Sequence, residues 1–357
     1  MFGWRTGIAA FGCLIATPAF AGCTAKAASP VDLGTYSPGA VRQTVVPYIS
    51  VSSGFGCSAA ILSLLSSDYA RATVSSTQNF TLTSTDTANK KTVSYTLAAD
   101  VNGANPIVSG SAFTYKGPGV NLLGLLGDVS DVKIFVRPTS LETVPAGTYT
   151  GQFKIDWAWK FCTGLGVSVL GVDVCALGAY DTNTGPPAVN ATTTVTVTLV
   201  VEAKPVDMTV ATKTTWDPQS NTTNPRATPG SRQRTTITVS NLDIATIDPN
   251  SLKIILPTPN KGVVALDGDK TASNPVVVIS GVAASKLNLT YLASNSAGDD
   301  VDFSNNANFR ADTEPWSYQP TPGDAAMQAA ITAVRFRPQG TMAAKSSFSM
   351  SLPYSVF

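Results

Sequence analysis

Ser347-Phe-Ser-Met-Ser-Leu-Pro-Tyr-Ser-Val356 alternates without a break. Phe348, Met350, Leu352, Tyr354 and Val356 fall on one side of an extended chain, and Ser347, Ser349, Ser351, Pro353 and Ser355 on the other. Successive side chains of a strand point to opposite faces, so this period of two reads as a half-buried β-strand. The same texture extends back toward the N-terminus, in Ser285 to Tyr291, Thr235 to Val239, Thr192 to Val201, Tyr149 to Trp159, Val93 to Leu97 and Asn79 to Thr83. These runs are rich in Thr, Val, Tyr and Phe, and clusters of Gly, Pro, Asn and Ser separate them, as turns require. Only Asp324 to Val334 carries helical spacing. Short strands between turn signals, with no repeat of fixed period, predict an all-β chain of β-sandwiches rather than a propeller. An outer-membrane barrel fails on phase, because counting back in twos from Phe357 meets Ser355, Pro353 and Ser351. The final strand therefore either completes a sandwich or offers a surface to a chaperone or donor strand.

Composition narrows the function. Of 357 residues 43% are hydrophobic and only 13% charged, with 24 Lys+Arg against 23 Asp+Glu; an average soluble protein is about 25% charged. Near-neutrality leaves no electrostatic footprint for nucleic acid or an anionic membrane. The chain has no histidine, which removes Ser-His-Asp and Cys-His catalysis and histidine zinc ligands. Ser130-Asp-Val-Lys133 has the Ser-x-x-Lys spacing of penicillin-recognising enzymes, but it runs into a strand-like segment instead of the helix that chemistry needs. The acidic cluster Gly298-Asp-Asp-Val-Asp302 with Asn305 lacks the glycine and glutamate of a calcium loop and reads as a turn. No enzyme activity, metal or cofactor is expected.

The first residues set the compartment. Arg5, the apolar run Gly7 to Ala16 and the small-x-small site Ala19-Phe-Ala21 have the form of a secretory signal peptide over 1–21. A lipoprotein site at Phe20-Ala21-Gly22-Cys23 competes with it, although Phe20 stands where leucine is usual. Cys23, Cys57, Cys162 and Cys175 would remain, an even number that in an exported chain reads as two disulfides. Three pairings are open; Cys23 with Cys57 and Cys162 with Cys175 are favoured, since each pair flanks runs that a hairpin could bring together. A Thr/Val strand ends near Glu202-Ala-Lys-Pro205 and another begins after it, which divides the chain into domains at 22–203 and 204–357.

Two resemblances follow from particular residues. Cys23, Leu33-Gly-Thr-Tyr-Ser-Pro38, a strand ending at Cys57, and Val144-Pro-Ala-Gly-Thr-Tyr149 leading into Phe153-Lys-Ile-Asp-Trp157 resemble the spore coat protein U domain, the pilin-type fold of archaic chaperone-usher pili. Val210-Ala-Thr-Lys-Thr-Thr-Trp-Asp-Pro218, Asn224-Pro-Arg-Ala-Thr-Pro-Gly230 and Thr235-Thr-Ile-Thr-Val-Ser-Asn241 resemble the conserved-repeat, Ig-like modules of bacterial exported proteins. The first resemblance implies a pilin-like sandwich and partners among periplasmic chaperone, usher and pilin subunits. Tip subunits of such pili place a binding domain first, as this layout does.

Apolar residues in expected loops are the candidate contact site. Leu122, Leu123, Leu125 and Leu126 lie between glycines in Gly117 to Gly127, and Val167, Val169 and Leu170 lie in Gly164 to Val174. Exposed apolar patches mark contact surfaces; the competing reading makes the leucines a short capping helix and the valines a core hairpin. The sequence thus describes a bacterial protein exported to the periplasm or cell surface, two β-sandwiches in tandem. Its expected role is that of an adhesin, in the layout of a pilus tip subunit, gripping a hydrophobic surface or an unknown ligand through the first domain. The alternative is a non-adhesive structural or spacer protein of the envelope.

Overall fold

A computed structural model describes residues 23–57, 69–86, 90–115, 128–129, 132–162, 165–170, 172–176, 179–183, 191–271, 274–281 and 283–357. Nearly all regular structure is strand, arranged in several sheets. The all-β sandwich architecture expected from the alternating runs is therefore present.

The N-terminal part is organised around one long strand, Gly147–Cys162. Tyr149, Phe153, Ile155, Trp157, Trp159 and Phe161 alternate inward and are almost wholly buried. Along its first ten residues this strand pairs antiparallel with Thr192–Val201, from Gly147 opposite Val201 to Asp156 opposite Thr192. Thr193, Val195, Val197, Leu199 and Val201 supply the facing side of the core. Val31–Tyr36 adds in parallel beyond Thr192–Val201. Across its other edge Gly147–Cys162 meets Thr81–Ser84 near its start and Tyr69–Ser75 along its second half, and Tyr180–Asn183 joins at its end. One strand thus serves two sets of neighbours, and the sheet closes around a single apolar core. Gly151 permits the crossing, since a Cβ there would lie 2.5 Å from the Thr81 carbonyl oxygen. The Pro-Ala-Gly-Thr-Tyr turn that opens the strand is held by Tyr149, whose hydroxyl donates to the Pro145 carbonyl at 2.8 Å.

The C-terminal part has its own core. Asp207–Trp216, Arg232–Asn241 and Ser346–Val356 run side by side, and Gly262–Val264 and Val277–Ser280 both pair with the free side of Ser346–Val356. Ile254–Pro257, Ala333–Phe336 and Val301–Ser304 form the facing sheet. Phe348, Met350, Leu352 and Tyr354 are buried, and their strand is paired along both edges. It completes a sandwich.

Three local expectations are corrected. Asn79 and Phe80 have φ of 51° and 55°, so they form the turn that precedes Thr81–Ser84, because a strand cannot contain two left-handed residues. Ser285 to Tyr291 makes only isolated bridges; its alternating apolar residues are anchored by loop hydrogen bonds such as Leu287 N to Ser285 Oγ. The helix is confined to Ala325–Ala329, capped by Asp324, which accepts from Ala326 N and Met327 N at 3.0 Å. The chain then returns to strand at Ala333.

Candidate functional site

The candidate site is a hairpin, Leu165–Val169 and Val172–Ala176, fastened to the end of Gly147–Cys162 by a disulfide between Cys162 and Cys175. That disulfide matches the second expected pairing. Register places Val167 opposite Val174 and Val169 opposite Val172, and directly opposed residues share a face. The hairpin therefore carries four valines on one side. Three of them are exposed: Val169 is 56% exposed, Val172 62% and Val174 46%, and Leu170 at the tip is 100% exposed. Only Val167 is half-buried.

The backbone at the tip is also unusual. Leu170 has φ of 51°, the left-handed region that costs an L-residue with a bulky side chain about 1–2 kcal/mol. Two-residue hairpin loops require such a conformation and normally recruit Asn, Asp or Gly for it. A leucine here adds strain and an exposed apolar side chain at once.

Position matters as much as exposure. The strand Gly147–Cys162 begins beside Val201, where the N-terminal part ends, and Tyr36 also pairs with Val201 there. Fifteen residue steps at about 3.3 Å put its other end roughly 50 Å away. The hairpin is anchored at that remote end by Cys162, and by the Tyr180 hydroxyl, which donates to the Asp173 carbonyl at 3.2 Å. Lys160 lies over the Tyr180 ring at 4.4 Å just below.

Of the sequence-predicted contact residues, Val169 and Leu170 are exposed on this hairpin and Val167 borders them. Leu122, Leu123, Leu125 and Leu126 lie outside the described residues. Val172 and Val174 share this exposed face without having been singled out from the sequence; the signal that finds them is the two-residue loop, which puts them on the face of Val169 and Val167. Cys23 stands directly opposite Cys57 in the antiparallel pairing of Cys23–Ala25 with Phe55–Cys57.

The acidic cluster of the C-terminal part is held by internal bonds. Asp302 accepts from Arg335 Nε at 2.8 Å and Arg337 Nε at 2.7 Å, Asp300 from Thr290 N at 2.7 Å, and Asp299 from Leu292 N at 2.9 Å. The three carboxylates thus organise a sheet end.

A second feature concerns the edge of the C-terminal sheet. Among the described residues Asp207–Trp216 pairs only with Arg232–Asn241. Met208 opposes Val239 and Val210 opposes Ile237, so these side chains sit on the sheet face that Val239 and Ile237 turn to the core. Yet Met208 is 54% and Val210 53% exposed, whereas Val239 and Ile237 are 1% exposed. The sandwich interior is open along this edge.

Stacked sheets, a disulfide-fastened hairpin and an exposed sheet edge define an all-β protein. Residues 11–156 match the Spore Coat Protein U domain. Solved structures similar to the chain include the CsuC-CsuE chaperone-tip adhesion subunit complex from archaic chaperone-usher Csu pili of Acinetobacter baumannii, at 13% identity and TM-score 0.35, covering 94% of each chain. The CooA pilin subunit from enterotoxigenic Escherichia coli matches at 14% identity and TM-score 0.27, over 51% of this chain and 99% of that one. The C-terminal domain of the Streptococcus agalactiae AgI/II polypeptide BspA matches at 8% and 0.18, over 87% and 85%. No curated protein matches the chain. Among the described residues, no helix is long and apolar enough to cross a membrane.

Proposed function

We propose that the protein is an exported, non-catalytic surface adhesin in the layout of a tip subunit of an archaic chaperone-usher pilus, with domains at 22–203 and 204–357. The first domain grips a hydrophobic surface and the second joins an assembly. One observation carries this reading: the uncovered face of Val169, Val172 and Val174 with Leu170 at its tip, anchored at the end of the first domain remote from the second. A core hairpin would turn its valines inward, and the exposure of Val169, Val172 and Val174 speaks for the contact reading instead. Apolar area of this kind gains about 25 cal/mol per Å² when a surface takes it out of water.

The open edge at Met208 and Val210 supports the assembly half. A strand from a chaperone or pilin subunit laid along Asp207–Trp216 would extend the sheet and cover the two side chains. A donating role for this chain is disfavoured by Cys23, because it already pairs with Cys57 as the second residue after the expected cleavage site.

The test is replacement of Val167, Val169 and Leu170 by Ser, with Leu122, Leu123, Leu125 and Leu126 replaced in a second variant. Exposed side chains predict an almost unchanged melting temperature and a sharp fall in adhesion to a hydrophobic surface such as polystyrene. Folded variants that adhere as well as the parent would leave the spacer reading in its place.

A further inference from the structure

The joint between the two domains is not a bare linker. Residues 202–206 carry no regular structure and are exposed apart from their first hydrogen bond, Glu202 N to the Tyr36 carbonyl. Beside them, however, the short helix Pro38–Arg42 and Gln43 of the first domain meet loop 242–248 of the second. The Gln43 side chain holds the Thr246 backbone on both sides: Nε2 donates to the Thr246 carbonyl at 2.9 Å, and Oε1 accepts from Thr246 N at 3.0 Å. Ser37 caps the helix, accepting from Ala40 N at 3.0 Å, and its hydroxyl donates to the buried carboxylate of Asp243. Arg42 pairs with Asp248 at the rim.

Between these polar contacts sits Ala245. It belongs to the second domain by sequence, yet it is 3% exposed and packs within the core of the first, with Ile244 against the same core. Gly39 makes room, since a Cβ at that position would stand 3.4 Å from the Ala245 Cβ. The loop is also held from its own side. Asn241 Nδ2 donates to the Ala245 and Ala343 carbonyls at 2.9 and 3.0 Å, and Lys345 N donates to the Asp243 carbonyl at 3.1 Å.

We propose that loop 242–248 is a plug that completes the first domain's core, so that the two domains move and unfold as one body. Domains joined by a short linker ordinarily move relative to one another unless an apolar, well-packed interface stops them. Here an apolar residue enters the neighbouring core and a ring of hydrogen bonds fixes its register. The consequence is geometric: the direction of the valine hairpin is set relative to the sheet edge at Asp207–Trp216.

The experiment measures distances in the full chain with spin labels on cysteines placed at Leu141 and Leu292, which are 99% and 67% exposed, one in each domain. The parent is expected to give one narrow distance distribution and a single melting transition. Ala245→Asp puts a charge into the first core and should broaden the distribution and lower the first domain's melting temperature. Gln43→Ala with Arg42→Ala removes only rim contacts, keeps both domains folded and should broaden the distribution as well. A broad distribution in the parent, or widths in both variants equal to the parent's, would overturn the proposal.

Discussion

Cys162 and Cys175 lie 5.4 Å apart at Cα and join a buried strand end to the second strand of a hairpin on which Val169, Val172 and Val174 are exposed. A two-stranded hairpin with no core of its own is marginal in water, so this link is what keeps the valine face extended. Closing a loop of this size contributes about 3 kcal/mol in the chain-entropy model. Replacing both cysteines by Ala is expected to leave the sheet signal of the main core intact while amide protection across 165–176 collapses and adhesion is lost. Undiminished protection there would show that the disulfide is dispensable. Peptide mapping of the parent should also recover Cys23 linked to Cys57.

Leu170 offers a test in which stability and function move in opposite directions. Its side chain is fully exposed and its φ is 51°, so glycine loses no contact and relieves the left-handed strain. Leu170→Gly should hold or raise stability by up to about 1 kcal/mol, after the entropy that glycine adds to the unfolded chain. Adhesion to a hydrophobic surface should fall. A clear drop in melting temperature would mean that Leu170 is packed, contrary to its exposure.

How far the sequence could be read follows from which signals are local. Ser347 to Val356 and Tyr149 to Trp159 announce themselves because alternation is written into each strand, and one buried face suffices to set it. Val172 and Val174 needed the register of a hairpin, which depends on where its two-residue loop falls. Asn79 and Phe80 look like strand by composition, but backbone signs decide a turn and composition does not. The plug at Ala245 was invisible for a stronger reason: an alanine in a polar loop carries no pattern, and only the neighbouring domain gives it a pocket.

Acid stability should report on Asp217. The backbone N–H groups of Ser220 and Arg226, with that of Gln219 and the Ser220 hydroxyl, converge on its carboxylate at 2.7–2.9 Å. They lower its pKa to about 2, against about 3.9 for an unconstrained aspartate. A carboxylate whose pKa falls on folding contributes stability that is complete above the unfolded value and is lost as pH drops through the folded one. The stability gap between the parent and Asp217→Asn should therefore be constant above about pH 5 and narrow steadily toward pH 2. A gap that does not change over that window would show that the four donors do not act through the charge.

The open edge of the second domain gives the last prediction. Met208 and Val210 point to the core side of their sheet, beside Val239 and Ile237, yet both are more than half exposed. Long uncovered edges invite pairing, and proteins that avoid it place charges or proline there. Within the exposed stretch 207–213 the charges are Asp207 and Lys213, one at each end, and the middle is Met-Thr-Val-Ala-Thr. Met208→Lys with Val210→Lys puts charge into that middle. Both positions are exposed, so the isolated protein should change by no more than about 0.5 kcal/mol. Association with a co-expressed chaperone of the archaic chaperone-usher class should nevertheless be lost, because the added strand would have to bury two ammonium groups. Gel filtration of the co-expressed pair reads this directly. If the doubly substituted protein still elutes with the chaperone as the parent does, the edge at Asp207–Trp216 is not the place where the partner strand adds.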